Sequence, residues 1–147
     1  MFTSDGVFVA KWGAEGAGDG QLNRPSDVAV AFDGSVYVAD TDNHRIQKFT
    51  ADGVFVDKWG TIGDGDGQFY YPNGVAVASD GSVYVADTRN HRIQKFTSDG
   101  VFVARWGTKG GGDGQFDYPD DLTVAPDGSV YVADSANHRI QKFLPGP

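Results

Sequence analysis

The chain has 147 residues, a formal net charge of −8 and no cysteine. This length is typical of one domain, and the lack of cysteine excludes disulfides, thiolate metal sites and cysteine nucleophiles. The negative charge disfavours contact with a phosphate backbone, so we expect no nucleic acid as a partner. No run of residues is long and apolar enough to cross a membrane, so we expect no membrane partner. Residues 1–6 lack the basic and apolar regions of a signal peptide, and a chain expressed as given would be cytoplasmic.

The first predicted element is a strand at Val7–Trp12, which has no strand before it to pair with. A glycine-rich loop follows, and then short apolar runs alternate with Asp-Gly turns, a strong signal for β-hairpins. No segment shows helical periodicity. The last predicted strand is Arg139–Phe143. The pattern is clearest in the middle of the chain, where it predicts strands at 74–78, 82–86, 91–96 and 101–106.

One segment, Asn-His-Arg-Ile-Gln-Lys-Phe, occurs three times without change, beginning at positions 43, 90 and 137, a step of 47 residues each time. A period of this length is typical of a solenoid, a propeller or an array. We divide the chain into repeats 3–49, 50–96 and 97–143 and a tail, 144–147. The high identity between copies is typical of a recently amplified or a designed repeat.

Four antiparallel strands joined by tight turns form a small twisted sheet, and radial repetition of such sheets forms a β-propeller. Each predicted sheet is apolar on both faces and so needs a neighbour on each side. A ring supplies both neighbours, whereas a linear stack leaves two faces exposed. A β-solenoid is the alternative, but its coils are usually shorter and lack three consecutive hairpin turns. We therefore predict an all-β fold: a β-propeller of four-stranded antiparallel blades, with residues 1–147 forming one half-propeller of three blades.

The repeated residues resemble the NHL repeat, whose name comes from the tripeptide Asn-His-Leu. Arg92 stands in the leucine place here. The resemblance covers the chain except for residues 144–147, and it implies a propeller that usually has six blades. Members of the family include RNA-binding and protein-binding scaffolds, sensor domains and a zinc-dependent amidating lyase, so the resemblance implies the fold more strongly than the function. In the middle repeat it rests on Gly67–Phe69, Pro72–Val77, Asp80-Gly81, Val83–Asp87 and Asn90–Gln94.

Three blades cannot close a ring, because propellers carry at least four. The chain begins with an outer strand that lacks its blade and ends with a blade that lacks its outer strand. We therefore predict that the chain is its own partner, in a C2 homodimer that closes a ring of six blades. Strand Val7–Trp12 of each chain would pair in trans with strand Arg139–Phe143 of the other. A trimer of nine blades is the alternative, less typical of this repeat.

The three copies differ mainly between Ala14 and Ala29 or their equivalents, and at Thr41 and Asp42. In an up-and-down blade both connections lie on the same face, which we call the variable face. Loops on a rigid scaffold often carry binding residues, although exposed loops also tolerate change without any function. The aromatic and acidic side chains there suit a cationic peptide, a carbohydrate or a cation. The candidate ligand-binding residues are Tyr70, Tyr71, Asn73, Asp117, Tyr118, Asp120, Asp121, Arg24 and Arg89.

His44, His91 and His138 are the only histidines, and the lyase in the resembled family makes zinc the obvious hypothesis. However, they occupy equivalent places on different blades, which strand spacings separate by roughly 10 Å. Ligands of one zinc ion lie about 2.0–2.1 Å from it. We therefore predict no shared zinc and no cofactor, and expect each histidine to order its own turn.

Asp40, Asn43 and Arg45 could be a polar catalytic set, but they recur in every repeat, whereas catalysis usually needs an asymmetric set. We predict a structural role in which Asp and Asn bond backbone amides and Arg makes a bidentate contact. The segment 64–67, Asp-Gly-Asp-Gly, resembles the start of an EF-hand loop. Its twelfth position is Val75 instead of glutamate, so only a different kind of calcium site stays open.

The sequence therefore favours a non-enzymatic propeller that self-assembles as a scaffold or binds a peptide or carbohydrate through its variable face. The alternative is a propeller lyase or hydrolase with a metal site at the central channel. An enzyme would need non-equivalent polar residues on the innermost strands. These strands offer mostly valine and alanine, together with Thr123, which favours the first hypothesis.

Overall fold

The computed structural model describes residues 6–144, which form three antiparallel sheets, one for each repeat. The first two sheets have four strands each and the third has three. The predicted all-β fold of propeller blades is thereby confirmed. The start of the first predicted repeat at residue 3 and the tail residues 145–147 lie outside the described residues. The strands are β1 (Pro25–Val30), β2 (Val36–Asp40), β3 (Arg45–Phe49), β4 (Phe55–Trp59), β5 (Pro72–Val77), β6 (Val83–Asp87), β7 (Arg92–Phe96), β8 (Phe102–Trp106), β9 (Pro119–Val124), β10 (Val130–Asp134) and β11 (Arg139–Phe143).

The strands of the middle repeat begin and end within two residues of the predicted bounds. The predicted strand Val7–Trp12, in contrast, is not formed: within residues 6–12 only Phe8 takes part in an isolated bridge. Strand hydrogen bonds need a neighbouring strand, and the third blade, which this segment would complete in a second copy, lies at the other end of the chain. A short 3-10 turn also follows the second strand of each blade, at Thr41–Asn43, Thr88–Asn90 and Ser135–Asn137.

The hydrophobic core lies between the blades. One face of the first blade contributes Tyr37, Ala39 and Ile46, all at most 1% exposed. The facing side of the second blade contributes Phe69, Val75, Val83, Val85 and Phe96. The same arrangement recurs between the second and third blades, where the buried residues are Ala76, Ala78, Tyr84, Ala86, Ile93, Phe116, Leu122, Val130 and Val132.

Within residues 6–144, two blade faces have no neighbouring blade. On the first blade Val28 is 57% exposed, whereas the equivalent Val75 is 3% exposed. On the third blade Ile140 is 66% exposed, whereas Ile46 and Ile93 are fully buried. The same residue type is thus buried at an internal junction and exposed at each end, which shows that the exposure comes from the missing neighbour.

Each blade is tied to its own entry loop by a buried aspartate. In the second blade Asp87 accepts hydrogen bonds from the backbone N–H of Tyr70 (2.8 Å), Asn90 Nδ2 (3.0 Å), Arg92 Nε (2.7 Å) and Gln94 Nε2 (3.2 Å). Burial raises the pKa of Asp87, and these donors oppose that effect. The same bonds recur in the other two blades.

The arginine of this network holds the glycine-rich loop. Besides its bond to Asp87, Arg92 donates to the carbonyl oxygens of Asp64, Gly65 and Gln68, at 2.7–3.0 Å. The predicted structural role of the repeated Asp, Asn and Arg is therefore confirmed. The predicted bidentate contact is wrong, because only Nε meets the carboxylate while the two terminal nitrogens bond the loop.

We expect Asp87→Ala to lower the free energy of unfolding by about 3–5 kcal/mol, since it leaves the buried Arg92 charge unpaired. Urea denaturation followed by tryptophan fluorescence measures the change. Asp99→Ala is the control: Asp99 is exposed in a turn, and such a change should cost less than about 0.5 kcal/mol. Equal effects of the two substitutions would contradict the assigned role of the network.

Candidate functional site

The two variable connections of each repeat lie side by side. The backbone N–H of Arg89, in the turn after β6, donates to the carbonyl of Tyr70 in the loop before β5 at 3.1 Å. The same bond recurs in the first and third repeats. The prediction that both connections share one face of the blade is confirmed.

The histidines connect neighbouring blades. His44 Nδ1 accepts a hydrogen bond from the backbone N–H of Tyr71 in the second blade, and His91 Nδ1 accepts from Tyr118 in the third, each at 3.0 Å. The expectation that each histidine orders only its own turn is therefore incomplete. The backbone N–H of His44 does close its turn, onto the carbonyl of Thr41, but the imidazole reaches the next blade. Desolvation lowers the pKa of both His44 and His91.

Four side chains form a cluster that we call the tyrosine platform: His44, Tyr70, Tyr71 and Arg89. The ring of Tyr71 lies 5.0 Å from that of Tyr70 and 4.5 Å from that of His44, centroid to centroid. Arg89 places Cζ 4.0 Å from the centroid of Tyr71. Tyr70 is 38% exposed, and within residues 6–144 the guanidinium of Arg89 makes no hydrogen bond or ion pair. The platform thus combines exposed aromatic surface with a cation whose donors are free.

The equivalent places on the other blades have different chemistry. In the first blade Arg24 forms an exposed ion pair with Asp42 at 2.8 Å. In the third blade Tyr118 packs edge-on against His91, 4.8 Å between centroids, and Asp117 lies 3.8 Å from His91 Nδ1. Arg24 therefore lies on the open first blade, and Asp117 and Tyr118 lie together at the junction with His91, all outside the tyrosine platform.

A second polar group lies along the innermost strands. Asn73 Nδ2 donates to Asp120 Oδ1 at 3.3 Å, and Asp121 lines the open half-channel, a groove of about 350 Å³ formed by β1, β5 and β9. Asp27, which the sequence analysis did not select, accepts the backbone N–H of Val75 at 3.0 Å. Burial raises the pKa of Asp27, and the nearby carboxylate of Asp121 raises it further. Asp27 occupies the same repeat position as Asp121, which was selected as a candidate. This equivalence is the feature of the sequence from which Asp27 could have been predicted.

Residues 6–144 contain no group of three or more His, Asp or Glu side chains placed to hold a metal ion. The carbonyls of the Asp-Gly loop at 64–65 accept hydrogen bonds from Arg92. Within the same residues, no helix has the length and apolarity needed to span a bilayer.

The sequence profile described as NHL repeat matches residues 22–49, 69–96 and 116–143, which together make up more than half of the chain. Similar curated proteins include B-box type zinc finger protein ncl-1 of Caenorhabditis elegans, 49% identical over 43 residues, and E3 ubiquitin-protein ligase TRIM71 of Rattus norvegicus, 48% identical over 44 residues. These alignments cover 29% and 30% of this chain and 5% of each relative.

Two solved structures show the same fold. A structural genomics protein of unknown function from Bacteroides thetaiotaomicron superposes with a TM-score of 0.66 at 23% identity, over 85% of this chain and 36% of that one. Virginiamycin B lyase from Staphylococcus aureus, in a catalytically inactive form with quinupristin, superposes with a TM-score of 0.62 at 18% identity, over 89% and 42%. The chain therefore spans less than half the length of these propeller proteins.

Removal of divalent ions is expected to leave the protein unchanged. Because the described residues hold no ligand cluster, the melting temperature should shift by less than about 1 °C, well below the several degrees that loss of a bound stabilising ligand produces. Differential scanning fluorimetry with EDTA, and then with added calcium, measures this. A drop of several degrees that calcium reverses would show that the Asp-Gly loops bind a cation.

Proposed function

The chain belongs to the NHL-repeat family, and we propose that it acts as a non-enzymatic scaffold that self-assembles, two copies joining head to tail in a closed ring of six blades. The observation that carries this proposal is the pair of open blade faces. The two open faces differ from each other. They are equivalent to the two different faces that pack against each other at an internal junction.

The apolar parts of the two faces are complementary. At an internal junction, a Tyr, Ala and Ile set on one blade packs against a set rich in Val and Phe on the next. The open face of the third blade presents the first set, Tyr131, Ala133 and Ile140. The equivalent positions on the first blade carry the second set, with leucine in one Phe place: Leu22, Val28, Val36, Val38 and Phe49. Val28 is 57% exposed, while Val36, Val38 and Phe49 are buried beside Trp12 of the same chain. A junction between two copies would therefore reproduce the internal packing.

The hydrogen bonds that join neighbouring blades also have an equivalent donor at the open end of the third blade. Thr41 Oγ1 donates to the carbonyl of Pro72 at 2.8 Å, and Thr88 Oγ1 to that of Pro119 at 2.7 Å. The equivalent hydroxyl on the third blade belongs to Ser135, which would donate to Pro25 of the partner subunit.

Trp12, in the N-terminal segment, packs in the way that the last residue of an outer strand packs at an internal junction. The ring of Trp12 packs against Phe49 with centroids 6.0 Å apart, as Trp59 packs against Phe96 at 5.7 Å. Trp59 is the end of an outer strand that leans on the following blade. Trp12 thus occupies the place of an outer strand whose own blade would come from the partner.

The pairing of β7 with β8 gives the register for closure in trans. Lys95 lies opposite Ala104 in that pair. The equivalent pair across the junction is Lys142 with Ala10 of the partner subunit. Unpaired strand edges recruit other strands, and a head-to-tail contact that closes on itself gives a finite ring.

We expect a dimer by multi-angle light scattering at micromolar concentration, and covalent closure in the double variant Ala10→Cys with Lys142→Cys. Paired positions of neighbouring strands have Cα atoms close enough for a disulfide, and the unsubstituted chain has no cysteine. Oxidation should produce a covalent dimer on a non-reducing denaturing gel, and a reductant should remove it.

The matched control is Lys95→Cys with Ala104→Cys, which places the same pair inside one chain and should leave a covalent monomer. A folded monomer by light scattering would overturn the proposal. A trimer would overturn the number of blades. A dimer that crosslinks only in the control would overturn the strand pairing.

The tyrosine platform supports a second candidate function, binding of a carbohydrate. Exposed aromatic rings suit the apolar faces of sugar rings, and a few polar groups beside them can fix orientation. The free guanidinium of Arg89 supplies donors for sugar oxygens and repels a cationic peptide. Among the ligands that the sequence suggested, the platform therefore favours a neutral sugar.

A neutral glycan array followed by calorimetry tests this candidate. We expect Tyr70→Ala and Arg89→Ala to weaken binding of any glycan found by at least about tenfold, as loss of roughly 1.4 kcal/mol would. Tyr118→Ala is the matched control, because Tyr118 is exposed beside His91 and, among the described residues, no cation lies over its ring. Equal loss in all three variants, or no glycan bound, would rule the platform out as a sugar site.

A further inference from the structure

We propose that the outer edge of the second blade pairs with the same edge of a second copy, as two antiparallel strands related by a two-fold axis at Phe102. This contact is separate from the open faces of the first and third blades, and it does not depend on the proposed ring. It rests on three features of strand β8: its place at the edge of a sheet, its exposed valines and the order of its charges.

Strand β8 is the last strand of the second sheet, whose order is β5-β6-β7-β8. A strand at this place has a neighbour on one side, so one row of its backbone N–H and C=O groups faces outward. Such an edge recruits other strands unless charges, bulges or a covering segment protect it. Whether an edge finds a partner therefore depends on the groups along it.

Two valines of β8 point away from the blade. Val101 is 61% exposed and Val103 is 50% exposed, whereas Phe102 between them is partly buried. The second blade packs against a neighbour on each side, so this exposure has a different origin from that of Val28 and Ile140. Assembly through the open blade faces would leave this apolar patch uncovered.

The charges on the same side of the strand have the order that an antiparallel copy requires. Exposed residues alternate along the segment as Asp99, Val101, Val103 and Arg105. When two such segments run antiparallel about Phe102, Val101 lies opposite Val103 of the partner subunit. By the same register, Asp99 lies opposite Arg105 of the partner subunit. Apolar and opposite-charge pairs stabilise neighbouring strands, whereas like charges destabilise them, so the segment is complementary to itself.

Arg105 is available for this contact. Its Nη1 lies 3.2 Å from Asp66 Oδ1 and donates to the carbonyl of Asp64 at 3.2 Å, while 46% of the side chain is exposed. Exposed ion pairs of this kind contribute little to stability. A carboxylate from a second copy can therefore approach the same guanidinium.

The outer strand of the first blade, β4, carries the same kind of side chains but has a protected edge. Its exposed residues are Asp52, Val54, Val56 and Lys58. The backbone N–H of Lys58 donates to Oδ1 of its neighbour Asp57 at 2.8 Å, which occupies that donor. The equivalent of Asp57 in the second blade is Ala104, whose side chain offers no acceptor. The contact therefore belongs to β8 rather than to β4.

A bulge limits how far the two edges can pair. In the pairing of β7 with β8 the register shifts between Lys95 and Phe96, and Val103 has no partner on β7. A bulge bends its strand and increases the local twist, so the contact covers only the segment 99–105. A contact of this length is weak, and we expect it above the micromolar concentrations at which the proposed ring forms.

The contact gives the chain a second way to assemble. Between free chains it stops at two copies, because a contact about a two-fold axis uses the same surface of both. In the proposed ring the two β8 strands would lie on opposite sides, and the same contact would join rings into a row. In both cases the partner on this edge is another copy of the chain.

Mixed oxidation of two single-cysteine variants tests the pairing. Val101→Cys and Val103→Cys, carrying different affinity tags, are mixed at high concentration and oxidised. We expect a disulfide between the two variants on a non-reducing denaturing gel, because directly paired positions bring their Cα atoms close enough. Each variant alone should give at least about fivefold less covalent pair, since its cysteines then lie on the diagonal.

The matched control is the same experiment on the first blade, with Val54→Cys and Val56→Cys. Its yield of mixed disulfide should be at least about fivefold lower, because that edge is protected. Charge reversal gives a second measurement. Arg105→Asp, placed in both cysteine variants of the second blade, should lower the yield by at least about threefold, since it sets like charges opposite each other. Addition of Asp99→Arg should restore the yield.

The outcomes separate this contact from the ring. Absence of the mixed disulfide, an equal yield from the first blade, or no recovery in the double charge reversal would overturn the pairing. If Val103→Cys formed a disulfide with an added cysteine-containing strand peptide of unrelated sequence but not with Val101→Cys, a second copy would be the wrong partner. Light scattering of the unsubstituted chain at micromolar concentration reports the ring independently, so failure of one proposal leaves the other standing.

Discussion

The constraint on which this fold depends is that every blade has two apolar faces and needs a neighbour on each. A sheet buries its residues against other sheets, and here the buried residues lie between the blades. The second blade meets this condition on both sides, while the first and third meet it on one. The large exposure of Val28 and Ile140 measures what remains unfilled.

The buried aspartate of each blade converts this packing into a defined loop geometry. Asp87 collects four donors, and its partner Arg92 bonds three loop carbonyls. A carboxylate and a guanidinium could not be buried without such full satisfaction. The glycine-rich loop is thereby held beside the turn after the second strand. The variable positions therefore lie on loops whose backbone is held by a hydrogen-bond network that is the same in all three blades.

The blades could be predicted from the sequence because their signals are local and repeated three times. Asp-Gly turns, alternating apolar runs and the step of 47 residues all point to one architecture. The segment Val7–Trp12 was predicted as a strand from its composition, and this prediction is wrong for the single chain, because strand hydrogen bonds depend on a neighbouring strand that a local pattern does not show. The turns after the second strands were predicted without their 3-10 character.

The candidate site could be predicted only as a face. The hydrogen bond from the backbone N–H of Tyr71 to His44 joins residues 27 apart in two different blades. It depends on the left-handed backbone conformation of Tyr71, which no local sequence pattern predicts. The variable residues were assigned to one mouth, but the structure distributes them over the two blade junctions, the open first blade and the edge of the half-channel. Asp27 was missed because its role comes from the neighbouring strand and from its twin, Asp121, at the same repeat position.

The different character of the two open faces has a consequence for how assembly depends on concentration. In the proposed ring, a face that does not bind its own kind would make copies join in one direction. The first contact between two chains would then hold the remaining pair of faces close together. The second contact would form at a high effective concentration, so half-closed pairs and longer open chains would stay scarce. Any change that weakens one junction would act twice, and the proposed ring would respond to small perturbations as an all-or-none particle.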